Sequence, residues 1–143
     1  MSLLTSYDGK YFFTENFTDR VLQRSVYTAE IIRTFKTDSS MLGILALAND
    51  GKHLVTSNLG KEIQEWDTGT ATILRSFQIE GTILVAGSIS SDSKYLVIAD
   101  MNGNIKVSEL LSGKVICYFG ELTLNKLPSL YITGENKYLH YAT

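Results

Sequence analysis

The chain has 143 residues, of which 44% are hydrophobic and 20% charged, a composition typical of a globular domain rather than a disordered segment. Its formal net charge is −2 and its basic residues are scattered singly, so nothing indicates nucleic acid or an anionic membrane as a partner. No stretch approaches the roughly 20 apolar residues of a membrane-spanning helix. Because the N-terminus also lacks a signal-peptide pattern, we expect an intracellular protein, cytoplasmic or nuclear.

The first predicted strand is SLLTSY at 2–7, which runs into the turn signal DGK. The segment YTAEIIRTF at 27–35 has an apolar spacing that also fits a helix, but its counterparts further along the chain favour a strand. The stretch from 43 to 77 shows the strand pattern most clearly, because each of its turns carries its own signal. Its predicted strands are 43–48, 53–57, 62–66 and 71–77, separated by NDGK, NLGK and DTGT.

Two independent markers repeat along the chain at intervals of about 42 residues. The first is a turn with an acidic residue followed two positions later by a lysine, and its acidic residues are Asp8, Asp50, Asp92 and Glu135. The second is a phenylalanine that ends each fourth strand, at Phe35, Phe77 and Phe119. Four short strands in about 42 residues match one blade of a β-propeller. A β-sandwich would also have many short strands, but it does not predict a fixed period.

We therefore expect an all-β fold, a partial or open β-propeller with four-stranded antiparallel blades. The repeat places the blades at about 2–35, 43–77 and 82–119, with half a blade at about 127–143. Closed propellers contain about four to eight blades, so an open arc would leave apolar faces bare. Three explanations stay open: a piece of a longer protein, a ring completed by self-association or by another chain, and a self-sufficient open arc.

Residues 53–77, HLVTSNLGKEIQEWDTGTATILRSF, resemble a WD40 repeat, the propeller module named for its Trp-Asp pair, here Trp66-Asp67. Residues 95–119 are similar, although Ser108-Glu109 replaces the dipeptide. Residues 11–35 match more weakly, so these are degenerate repeats.

The resemblance also implies a structural role for Trp66, whose indole N–H would donate a hydrogen bond to the Thr56 hydroxyl. The histidine and the aspartate that complete this buried network in strong WD40 repeats have no counterpart here. We therefore expect the network to be incomplete.

No constellation in the sequence carries catalytic chemistry. The common zinc, metalloprotease, P-loop and dinucleotide motifs are missing, so we expect no catalytic residue, no metal and no cofactor. His53 occupies a repeat position held elsewhere by tyrosine and is interpreted as a packed ring, and His140 is interpreted in the same way. Cys117 lies in the apolar segment KVICYFG, which predicts a buried, inert thiol.

The resemblance implies a non-catalytic protein–protein interaction scaffold that serves a multiprotein complex. Propellers bind partners through loops on their rims, where side chains vary without disturbing the blades. The candidate partner-binding residues are Asn16, Thr18, Asp19, Asn58, Lys61, Met101 and Asn102. Two alternatives remain: part of a propeller enzyme with a site in its central channel, and a non-catalytic subunit of an RNA-modifying or other enzyme.

Overall fold

The computed structural model of the chain describes residues 2–15, 19–36, 42–58, 62–80, 83–119, 129–132 and 139–142. The regular elements within these ranges are fourteen β-strands. Among the same residues, no helix is long and apolar enough to cross a membrane.

The strands form three four-stranded antiparallel sheets in chain order, followed by a two-stranded one. Blade 1 consists of β1 (Leu3–Thr5), β2 (Tyr11–Glu15), β3 (Arg20–Ser25) and β4 (Ile31–Lys36). Blade 2 consists of β5 (Leu42–Leu47), β6 (His53–Asn58), β7 (Glu62–Asp67) and β8 (Thr72–Gln78). Blade 3 consists of β9 (Leu84–Ile89), β10 (Tyr95–Asp100), β11 (Ile105–Glu109) and β12 (Val115–Phe119). The two-stranded sheet pairs β13 (Ser129–Ile132) with β14 (Leu139–Ala142).

Each blade is a simple meander in which strands adjacent in sequence are also adjacent in the sheet. This confirms the all-β prediction with four-stranded antiparallel blades. It also shows that the helical alternative for 27–35 is wrong, because β4 pairs with β3 along its length.

The 42-residue repeat extends to backbone conformation. A residue with positive φ occurs in each turn between first and second strands, at Gly9, Gly51 and Ser93. Another occurs in each turn between third and fourth strands, at Ala29, Ala71 and Gly113. Glycine adopts this left-handed conformation without strain, whereas alanine and serine do not. The blade geometry therefore requires a positive φ at these turn positions even where the residue is an alanine or a serine.

The core lies between the blades. Between blades 1 and 2, Phe13 and Phe35 pack against Leu54 and Trp66. The rings of Phe35 and Trp66 meet edge to face, with centroids 5.8 Å apart and an interplanar angle of 86°, an arrangement that aromatic pairs prefer.

The next interface, between blades 2 and 3, is aliphatic. Val55 and Ile63 of blade 2 pack with Leu96 and Ile98 of blade 3, and the half-buried Phe77 lies against them. Blade 2 is thus covered on both faces, which is why the middle residues of β6 and β7 are buried without alternation.

The expectation of a buried thiol at Cys117 is wrong, because this side chain is exposed. It lies in β12, the outer strand of blade 3, whose five residues are all exposed. An outer strand pairs on one side only, so its apolar residues contact few neighbours even where the local sequence resembles a core segment.

Candidate functional site

The described candidate residues lie at one end of the blades, where second strands lead into third strands, and we call this end the upper rim. Asn58 ends β6, Asp19 precedes β3, and Met101 and Asn102 form the turn between β10 and β11. The remaining candidates, Asn16, Thr18 and Lys61, lie outside the described residues.

The turn that carries Met101 is held by the buried carboxylate of Asp100. Its Oδ1 accepts hydrogen bonds from the backbone N–H groups of Asn102 (2.9 Å) and Asn104 (3.0 Å), and its Oδ2 accepts one from Asn104 Nδ2 (2.9 Å). The Met101 amide donates to the carbonyl of Ile83 at 2.9 Å. The Met101 side chain, 59% exposed, thus projects from a fixed backbone.

Two other upper-rim candidates are engaged within their own blades. Asp19 forms ion pairs with Arg20 Nε at 3.1 Å and Lys36 Nζ at 3.8 Å. Asn58 donates from Nδ2 to Glu62 Oε2 at 2.7 Å and accepts from the Glu62 amide at 3.1 Å. These side chains stabilise the strand ends of their own blades at this rim. Their polar groups therefore already have partners within the chain before another protein binds.

Trp66 has the structural role that the resemblance implied. It is buried, and its Nε1 donates to Thr56 Oγ1 at 2.9 Å. At the equivalent place in blade 3, the Ser108 hydroxyl is buried and has no hydrogen-bond partner within the described ranges. The Trp–Thr hydrogen bond of the network is therefore present in blade 2, and Ser108 does not replace it in blade 3.

The opposite end of the blades, which we call the lower rim, contains two clefts. The first cleft, between blades 1 and 2, has a volume of about 210 Å³ and is lined by Tyr11, Gln23, Arg33 and Asp50, among others. The second cleft, between blades 2 and 3, has a volume of about 330 Å³, and its lining includes His53, Glu65, Arg75, Lys94, Tyr95 and Glu109. The two clefts occupy equivalent positions, because Tyr11, Gln23 and Arg33 precede His53, Glu65 and Arg75 by one repeat.

A cluster of Glu65, Arg75 and His53 forms the floor of the second cleft, and Glu65 and Arg75 form an ion pair within it. Glu65 is 1% exposed, with Oε1 lying 2.8 Å from His53 Nδ1 and Oε2 lying 2.5 Å from an Arg75 guanidinium nitrogen. A buried carboxylate is tolerated when such partners offset its desolvation. His53, interpreted from the sequence as a packed ring, lies beside this carboxylate.

Sequence reasoning did not identify the residues of this cluster. A signal was nevertheless present, because a polar residue and an arginine ten positions later occur at 23 and 33 and again at 65 and 75. In both blades the two residues are direct cross-strand partners. The third blade has Val107 opposite Cys117 at this position, so the polar pair ends with blade 2.

No protein-family model and no curated protein sequence matches the chain. Solved structures do resemble it. The WD40 repeats of RRP9 superpose with a TM-score of 0.76 and 15% identity over 90% of this chain, and U3-55K with 0.75 and 16% over 90%. Hydrazine synthase from Kuenenia stuttgartiensis gives 0.78 and 19% over 96%.

The chain spans only 40% to 41% of the length of those three structures. At these identities the similarity concerns the fold. Together with the three four-stranded meanders, it establishes the chain as a partial propeller with WD40-type blades.

Proposed function

We propose that this array of WD40-type blades is a non-catalytic protein–protein interaction scaffold, with other proteins of a multiprotein complex as its partners. The observation that carries the proposal is the Met101 side chain, held exposed by the hydrogen bonds around Asp100. Because the backbone of this turn is already fixed, a partner that covers the Met101 side chain pays no cost for ordering the turn, and the desolvation of the side chain contributes to binding.

The surroundings of Met101 support a contact of this kind. Ile83, which is 50% exposed, is tied to the same turn through its carbonyl. The two side chains provide an apolar centre, and the exposed Asn102 provides a polar group beside it. We assign Asp19 and Asn58 to the periphery of the same contact, and Asn16, Thr18 and Lys61 stay sequence-based candidates for it.

Affinity capture from cell extract with mass spectrometry tests the proposal. Met101→Asp should remove the partner, because a charge would be buried in the apolar centre of the contact. Leu111→Asp, which changes an apolar residue at the lower rim that is 69% exposed, is the matched control and should retain the partner. Equal recovery with both variants would contradict the assignment of Met101.

One alternative is part of a propeller enzyme, a class favoured by the similarity in fold to hydrazine synthase. The other is a non-catalytic subunit of an RNA-modifying or other enzyme, which the same capture experiment would reveal through its partner. If the purified chain turned over a small molecule and captured no protein, the result would contradict the scaffold proposal and support the propeller enzyme.

A further inference from the structure

The two lower-rim clefts are built from the same repeat positions, but their floors differ at two of them, where Tyr11 and Gln23 stand in place of His53 and Glu65. Glu65 lies at the floor of the second cleft, and Gln23 takes its place in the first. Both are buried, and both are cross-strand partners of an arginine. The chain therefore contains the same arginine position twice, once opposite a carboxylate and once opposite an amide.

In the second cleft the arginine is satisfied by its own blade. The guanidinium of Arg75 contacts the Glu65 carboxylate at 2.5 Å, and His53 contacts the other carboxylate oxygen. A guanidinium paired with a carboxylate forms one of the stronger hydrogen-bonded pairs found in proteins. This cleft needs no external anion.

In the first cleft the arginine has no such carboxylate. Among the described residues, the side-chain partner of the half-buried Arg33 guanidinium is the Gln23 Oε1, at 3.5 Å. This is the outer limit of a hydrogen bond, and its acceptor is neutral. The cleft thus presents a guanidinium with most of its donors unused, at a position where the repeat elsewhere supplies a carboxylate.

We propose that the first cleft binds a carboxylate of a partner peptide, which pairs with the Arg33 guanidinium as Glu65 pairs with Arg75. The volume of about 210 Å³ accommodates an acidic side chain or a chain terminus. Tyr11 and the 84% exposed Tyr7 line the same cleft and provide ring surfaces for the apolar part of the ligand.

The charged groups at the mouth of the cleft define the ligand further. Asp8 and Asp50 are exposed there, and hydrogen bonds from the Ser6 hydroxyl and the Lys10 amide hold the pKa of Asp8 below its usual value. These carboxylates disfavour a doubly charged phosphate and favour a carboxylate accompanied by a neighbouring cationic residue. The expected ligand is therefore an acidic residue within a mixed-charge peptide.

Nuclear magnetic resonance of the arginine Nε–H signals tests this site directly. The glutamate probe is the dipeptide Lys-Glu, acetylated at its N-terminus and amidated at its C-terminus, and the same derivative of Lys-Gln is the glutamine control. The glutamate probe should shift the Arg33 signal saturably, and the glutamine control should not. Acetylalanine, which offers only a terminal carboxylate, distinguishes a chain terminus from a side chain as the source.

A reciprocal pair of variants makes the test specific. Gln23→Glu supplies Arg33 with an internal carboxylate and should weaken binding of the probe by about tenfold or more. Glu65→Gln removes the internal partner of Arg75 and should make the Arg75 signal respond to the probe. Equal shifts with the glutamate and glutamine derivatives, or an unchanged response in Gln23→Glu, would overturn the proposal.

This readout does not depend on the upper rim. The probe is a defined small molecule, and Met101 is not involved in its binding. The proposal of a carboxylate site and the proposal of a scaffold contact at Met101 can therefore be contradicted independently of each other.

Discussion

The exchange of Trp66 for Ser108 at equivalent positions shows how a single residue changes the interior of a blade. In blade 2 the indole packs edge to face on Phe35 and donates to the Thr56 hydroxyl. In blade 3 the smaller serine leaves its own hydroxyl buried without a partner in the described part of the chain. A buried hydroxyl without a hydrogen bond costs free energy. The interior of blade 2 should therefore be more stable than that of blade 3 at this position.

Trp66→Phe should lower the free energy of unfolding by about 1 to 3 kcal/mol, because the buried Thr56 hydroxyl loses its donor. Chemical denaturation measures this change. Tyr118→Phe, which removes an exposed hydrogen bond to Asn104, is the control and should change stability by less than about 0.5 kcal/mol. Loss of partner capture by a folded Trp66→Phe protein would argue against a purely structural role.

The turns show how an element imposes its geometry on the residues within it. Gly51 and Ala29 both have positive φ, at 70° and 59°, although they occupy different turns of the blade. A Cβ added at Gly51 would meet no atom within 4 Å, so a substitution there tests the backbone alone. Alanine in this conformation costs roughly 1 to 2 kcal/mol, which the rest of the blade must offset.

Ala29→Gly should therefore raise the free energy of unfolding by about 0.5 to 1 kcal/mol, and Gly51→Ala should lower it by about 1 kcal/mol. Thermal or denaturant unfolding of both variants measures the pair. Destabilisation by Ala29→Gly would show that this turn is not strained.

At the scale of the whole molecule, the two faces of blade 1 are unlike. One face is buried against blade 2, and the other carries Leu3, which is 60% exposed, and the half-buried Phe12 and Leu22. Leu54 is the counterpart of Phe12 in blade 2, and it is fully buried because blade 1 packs on that face. The open face of blade 1 thus has the character of a surface on which another blade packs.

As a separate 143-residue chain, the protein should associate through this face. Size-exclusion chromatography with light scattering should give a mass above 15.9 kDa that increases with concentration. Phe12→Lys, which places a charge on the face, should shift the population toward the monomer. A well-behaved 15.9 kDa monomer for the unmodified chain would contradict completion of a ring by self-association.

Local sequence patterns are enough to predict the strands, the turns and the period. These depend on local patterns repeated every 42 residues, and the predicted strands of blade 2 agree with the structure to within about one residue. The Trp66–Thr56 hydrogen bond followed from the family resemblance. These features could be predicted because each is contained within a single repeat.

The surroundings of each side chain, in contrast, depend on how the blades pack against one another. Cys117 has a core-like local sequence but lies on an outer strand. Gln23 and Glu65 occupy the same repeat position, and the cleft beside each of them is completed by turns from the following blade. The clefts and the burial of their floors therefore depend on residues a full repeat away in sequence, and no local pattern specifies those neighbours.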